Sequence, residues 1–140
     1  MPGETRRLPV DPLPADATVE VVALVLDDGT AIGEESVIAS IFDHRTRERN
    51  ALDAVVKAFN EVLSANRGAA AVAALHERLT TLAARDPSVP CRSALDAVDA
   101  YQRKTTTGTP DDVDQSLHKY AAFVARQLEV AEKHSHRKKV

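Results

Sequence analysis

The stretch Asn50-Ala51-Leu52-Asp53-Ala54-Val55-Val56-Lys57-Ala58-Phe59-Asn60-Glu61-Val62-Leu63 decides the fold class by its spacing. Leu52, Val55, Val56, Phe59, Val62 and Leu63 recur three and four apart. A chain that turns once in about 3.6 residues puts them on one face, so the segment reads as an amphipathic helix. Upstream, Val37, Ile38, Ile41 and Phe42 carry the same period, separated from the first set by the polar residues 43–50. Glu34 and Glu35 stand where a helix N-terminus favours negative charge. If unbroken, this helix runs about thirty residues, roughly 45 Å at about 1.5 Å per residue. A break near Asn50 is the alternative.

Downstream the helical pattern repeats three times. Asn66-Arg67-Gly68 closes the first helix, with Gly68 expected as its left-handed cap. Val72, Leu75, Leu79 and Leu82 form the stripe of a second helix, joined closely enough to make an antiparallel helical hairpin. The turn Asp86-Pro87-Ser88-Val89-Pro90 offers Ser88 as N-cap to a third, with Ala94, Leu95, Val98 and Tyr101 facing inward. Residues 105–108 break the chain, and Thr109-Pro110-Asp111-Asp112 starts a last helix with a cap, a proline at the first helical position and acids in the first turn. Its apolar positions are Val113, Leu117, Tyr120, Val124, Leu128 and Ala131, widened by Phe123 and Val130, and it is expected to fray within residues 134–139.

On the N-terminal side the period changes. Thr18-Val19-Glu20-Val21-Val22-Ala23-Leu24-Val25-Leu26 is valine-rich and ends at Asp27-Asp28-Gly29-Thr30, a strand closed by a turn. Asp28-Gly29 suits a two-residue hairpin turn, and the return strand has room only for Thr30-Ala31-Ile32 before Gly33. Because alternation fails at Val21-Val22, the strand is expected to be buried on both faces. Residues 1–17, with Pro2, Pro9, Pro12 and Pro14, cannot be helical and read as an extended arm. The expected architecture is thus mainly α, about four helices in a bundle or paired helical hairpins with one short N-terminal β-hairpin. A single domain covers residues 18–133, between the arm and a basic tail at 134–140.

Composition removes several function classes. The 140 residues are 44% hydrophobic and 28% charged, with a net charge of −3, so the molecule as a whole offers no basic field for nucleic acid. The apolar run from Val21 to Leu26 is far too short to cross a bilayer, and nothing after Arg6 and Arg7 reads as a signal peptide. The cytoplasm is the default compartment, with an upstream segment left open. One cysteine, Cys91, excludes an internal disulfide.

Catalytic and metal signatures fail on inspection. No glutamate is followed three residues later by a histidine, as an inward-facing di-metal site in a bundle would need. His76 and His118 read as helix-surface residues, and His134 with His136 as too few ligands on a tail. Cys91 begins a helix, where the dipole lowers a thiol pKa, yet a small buried hydrophobe explains it as well. The five glycines form no phosphate loop, and no serine sits in a nucleophile-elbow context. No enzyme, metal or cofactor is expected.

Two features remain. Arg45, Arg47 and Arg49 alternate with Thr46 and Glu48 and make a charged girdle rather than a one-sided phosphate grip. The strand supplies more apolar surface than a short return strand covers, and the first helix is longer than the second helix, at about 25 Å, can cover. A self-associating or partner-docking interaction module is therefore the leading expectation, as a homodimer or with a protein partner. Its candidate contacts are Val19, Val21, Val22, Leu24 and Leu26 on the strand and Ile38, Ile41 and Phe42 on the helix. Coverage of the first helix by the third or fourth helix of the same chain is the competing arrangement. The alternatives in function are a nucleic-acid-associated regulator using Arg137, Lys138 and Lys139, which the net charge disfavours, and a binder of small apolar ligands between helices.

Overall fold

Two strands and four helices follow one another in the computed structural model, which describes residues 18–105 and 110–138. Strand β1 is Ala23–Val25 and β2 is Ala31–Gly33; the helices are α1, Glu35–Ala65, α2, Gly68–Arg85, α3, Val89–Lys104, and α4, Pro110–His134. The mainly helical class with an N-terminal hairpin is as the periodicities imply. The arm at 1–17, the Thr109 cap and Lys139 lie outside the described residues.

Helix α1 is continuous over 31 residues and does not break at Asn50. Its second half faces α2, α3 and α4 with Leu52, Val55, Phe59 and Val62. These meet Val72, Leu75 and Leu79 of α2, Cys91, Ala94 and Val98 of α3, and Val113, Leu117 and Val124 of α4 in one contiguous core. Ala51, Ala58, Ala71 and Ala94 are fully buried, and their small side chains let the helices approach closely. The larger aromatic contribution is a tilted stack, Phe59 on Tyr120 at 5.4 Å and Tyr120 on Phe123 at 5.9 Å between ring centroids.

Helix α4 covers α1 from its far end forward to Arg45 and stops short of the front that bears Ile38, Ile41 and Phe42. It packs along α1 antiparallel to it, with its end at His134 beside Arg45 and its start near the α1–α2 junction. A later helix of the same chain thus covers the rod back to Arg45, while the hairpin meets the front of α1. At the other end Asp114 Oδ1 accepts the Gly68 N–H at 2.6 Å, so a side chain of α4 caps the opening of α2.

Three local readings are corrected. Gly68 does take a left-handed φ of 58°, but it opens α2, whereas α1 is closed by Asn66 in an extended conformation. Ser88 holds the N-cap position of α3, yet its hydroxyl is buried toward Cys91 and bonds no cap N–H. The hairpin turn is also wider than two residues. Gly29 N–H donates to Leu26 O at 3.0 Å and Leu26 N–H to Thr30 O at 2.8 Å, with Gly29 at φ 89° and no other residue at positive φ in the turn. This is a three-residue loop, a type I turn followed by a left-handed glycine. Asp28 avoids positive φ and uses its carboxylate to accept the Thr30 N–H at 2.9 Å.

Candidate interaction surface

The hairpin register pairs Ala23 with Gly33, Leu24 with Ile32 and Val25 with Ala31. Side chains alternate across a strand, so Val22, Leu24, Leu26 and Ile32 share one face while Ala23, Val25 and Ala31 share the other. Among the elements, the hairpin touches only α1. The face with the small residues is half-buried, whereas the face with the large ones is open. Val22 is 47% exposed, Leu24 50%, Leu26 44% and Ile32 62%, and Val19 and Val21 leading into the strand are 76% and 77% exposed.

The expectation of burial on both faces is thus overturned. The alternation that looked broken at Val21-Val22 is real from Val22 onward, and it points the larger aliphatic side chains outward. Ile32, read as part of the return strand but not among the candidate contacts, belongs with them as the cross-strand neighbour of Leu24. The period-2 position of Ile32 was the available signal.

The backbone adds a second open feature. Glu34 N–H donates to Val22 O at 2.9 Å and Leu26 N–H to Thr30 O, so along residues 22–26 the even-numbered positions spend their polar groups on the returning arm of the hairpin. Ala23 and Val25 then direct theirs away from β2. Among the described residues no backbone group pairs with them there.

The helical part of the candidate surface behaves differently. Ile38 is 2% exposed and lies outside the main core cluster, under the hairpin end of α1. Ile41 and Phe42 are half-buried, and the Arg45 guanidinium lies 5.6 Å from the Phe42 ring centroid. Of the eight candidate contacts, the five strand residues are exposed and Ile38 is buried within the chain.

The basic tail is not a frayed end over its described residues. Arg137 forms a two-pronged ion pair with Glu35, its Nη2 donating to Oε2 at 3.0 Å. Lys138 Nζ lies 3.7 Å from Asp28 Oδ2, and the Lys138 N–H donates to Gly29 O at 3.0 Å. His134 Nε2 is 3.9 Å from Asp27 Oδ1. The girdle arginines hold the segment from the other side. Arg45 Nη1 donates to His134 O at 3.0 Å, and Arg49 Nη1 to Ser135 Oγ at 3.2 Å. Cationic donors at the carbonyl end of α4 match its dipole. Glu35 is held below the ordinary carboxylate range by its hydrogen bond to Arg137, and Asp28 by its bond to the Thr30 N–H and then by Lys138. Arg137 and Lys138, two of the three nucleic-acid candidates, are therefore engaged with carboxylates of the same chain. Nothing in the sequence linked them to Asp28 and Glu35, about a hundred residues earlier.

Elsewhere the chemistry is sparse. Among the described residues no three histidine, cysteine or acidic side chains gather to hold a metal. His76 Nε2 lies 2.7 Å from Asp99 Oδ1, tying the surfaces of α2 and α3. Cys91 is fully buried and its thiol is pushed up, first by burial. Between α1 and α2 lies an open trough of about 610 Å³ with Ala58, Val62 and Leu82 on its floor and Lys57, Glu61, Arg78 and Arg85 among its lining residues. Arg78 and Glu61 are paired across it. No helix is long and apolar enough to cross a membrane, among the described residues. Compared with protein-family models, curated proteins and solved structures, the chain gives no match.

Proposed function

We propose that this protein is a non-enzymatic interaction module that self-associates through the outward face of its N-terminal hairpin. The observation that carries the reading is the inverted hairpin: Ala23, Val25 and Ala31 face α1, while Val22, Leu24, Leu26 and Ile32 face solvent. A two-stranded sheet is marginal in water, and exposing its larger aliphatic face forgoes the burial that would stabilise it.

A second copy is the occupant this face suits. The four side chains are uncharged and aliphatic, so two such faces stacked about a two-fold axis meet without desolvating a charge. Packed face to face, the two hairpins would form the layers of a small sandwich about 10 Å apart. Sedimentation velocity across a wide concentration range tests the reading. A mass that rises from one chain toward two supports it, and one chain's mass at every concentration overturns it.

A further inference from the structure

We infer that residues 135–138 form a strap that holds the hairpin on α1 and thereby controls whether its outward face is presented. The control part rests on the self-association reading; the strap itself does not. The hairpin has little else to fix it. It touches α1 alone among the elements, and only Ala23, Val25 and Ala31 face inward from the ladder.

The strap ties three parts together. It continues from α4 and is held to α1 by Arg45 at the His134 carbonyl and Arg49 at the Ser135 hydroxyl. It crosses the turn, where Lys138 N–H donates to Gly29 O at 3.0 Å, and it reaches Glu35 at the start of α1 through Arg137. Gly29 is buried beneath it, and a Cβ at that position would overlap the His136 carbonyl oxygen. The closure is built from one backbone bond and exposed ion pairs. Exposed pairs are weak singly and screened by salt, so this closure can be released while the core of α1–α4 stays folded. Closed, it pins the turn and orients Val22, Leu24, Leu26 and Ile32 outward. Open, it leaves a two-stranded element without its anchor.

Amide hydrogen exchange on the full chain tests the strap, read at the paired amides of Leu24, Leu26, Ile32 and Glu34 with α2 and α3 amides as internal reference. Asp28→Asn retains an acceptor for the Thr30 N–H, so the turn survives while the ion pair is lost. Combined with Glu35→Gln, it should speed hairpin exchange about threefold to tenfold and leave the α2 and α3 amides unchanged. Reversing one pair, Glu35→Arg with Arg137→Glu, should return the rate to within about twofold of wild type. Unchanged hairpin exchange, acceleration shared equally by α2 and α3, or failure of the reversed pair to restore it each overturns the strap. Sedimentation of the same variants tests the control: association should weaken with the strap open, and a variant with fast hairpin exchange but wild-type association overturns it. A wild-type chain that is monomeric throughout overturns self-association and the control together, and the exchange data then decide the strap independently.

Discussion

Replacing Leu24 and Ile32 with Gln is the perturbation that probes the hairpin face most directly. These residues are cross-strand partners on the open face, at 50% and 62% exposure, so each has about half of its surface still to bury. Full burial of such a side chain is worth about 1.5–3 kcal/mol. The pair therefore holds back about 2–3 kcal/mol per chain, or about 4–6 kcal/mol in a symmetric dimer. With Val22 and Leu26 included, the whole face offers about 6–12 kcal/mol to two chains. Losing translational and rotational freedom costs about 4–15 kcal/mol, so the expected dimer is of moderate or low affinity. The double variant should weaken it at least about a hundredfold. Folding should hardly change, by less than about 0.5 kcal/mol, because neither side chain supports the core. Sedimentation velocity reads the first effect, and denaturant unfolding at low protein concentration reads the second. Identical masses for wild type and variant at every concentration would refute the reasoning, as would a variant that loses several kcal/mol of stability, since the face would then be internal.

Four further outcomes rest on the core and its caps. Phe59→Ala removes a fully buried ring stacked on Tyr120 and should cost about 3–5 kcal/mol in denaturant unfolding. Asp114→Ala removes the acceptor of the Gly68 N–H and should cost about 1–3 kcal/mol, with faster amide exchange at the start of α2. Cys91, buried and with its thiol held above the ordinary 9.0, should resist alkylation in the native chain and react on unfolding. The folded thiol keeps its proton at a pH where the unfolded thiol has lost it. Its contribution is therefore full below the unfolded value and is lost as pH rises through the folded one. Burial acts in the same direction on Tyr120, so the unfolding midpoint should fall as pH climbs beyond about 9.

Sequence alone determined the helices, because their information is local. Leu52, Val55, Phe59 and Val62 are spaced by the geometry of one helix, and the same eleven-residue window that shows the period also names the buried face. The proline and acids in the first turn of α4 and the Asp28-Gly29 turn are equally local signals, although the turn's width depended on Asp28 keeping negative φ. What only the tertiary structure decided concerns residues that meet across long sequence distances. Coverage of α1 by α4 back to Arg45, and by the hairpin in front of it, followed from helix lengths and crossing geometry that no single stripe contains. Likewise, which face of the β1 strand turns outward depends on where α1 lies beneath it, since aliphatic residues occupy both faces of the run from Val21 to Leu26. The tail looked like a solvated cationic end because Arg137 and Lys138 have no acids beside them in sequence. Folding supplies Glu35 and Asp28 from the opposite end of the chain, and charge pairing of that kind is set by distance in space, which neighbouring residues do not encode.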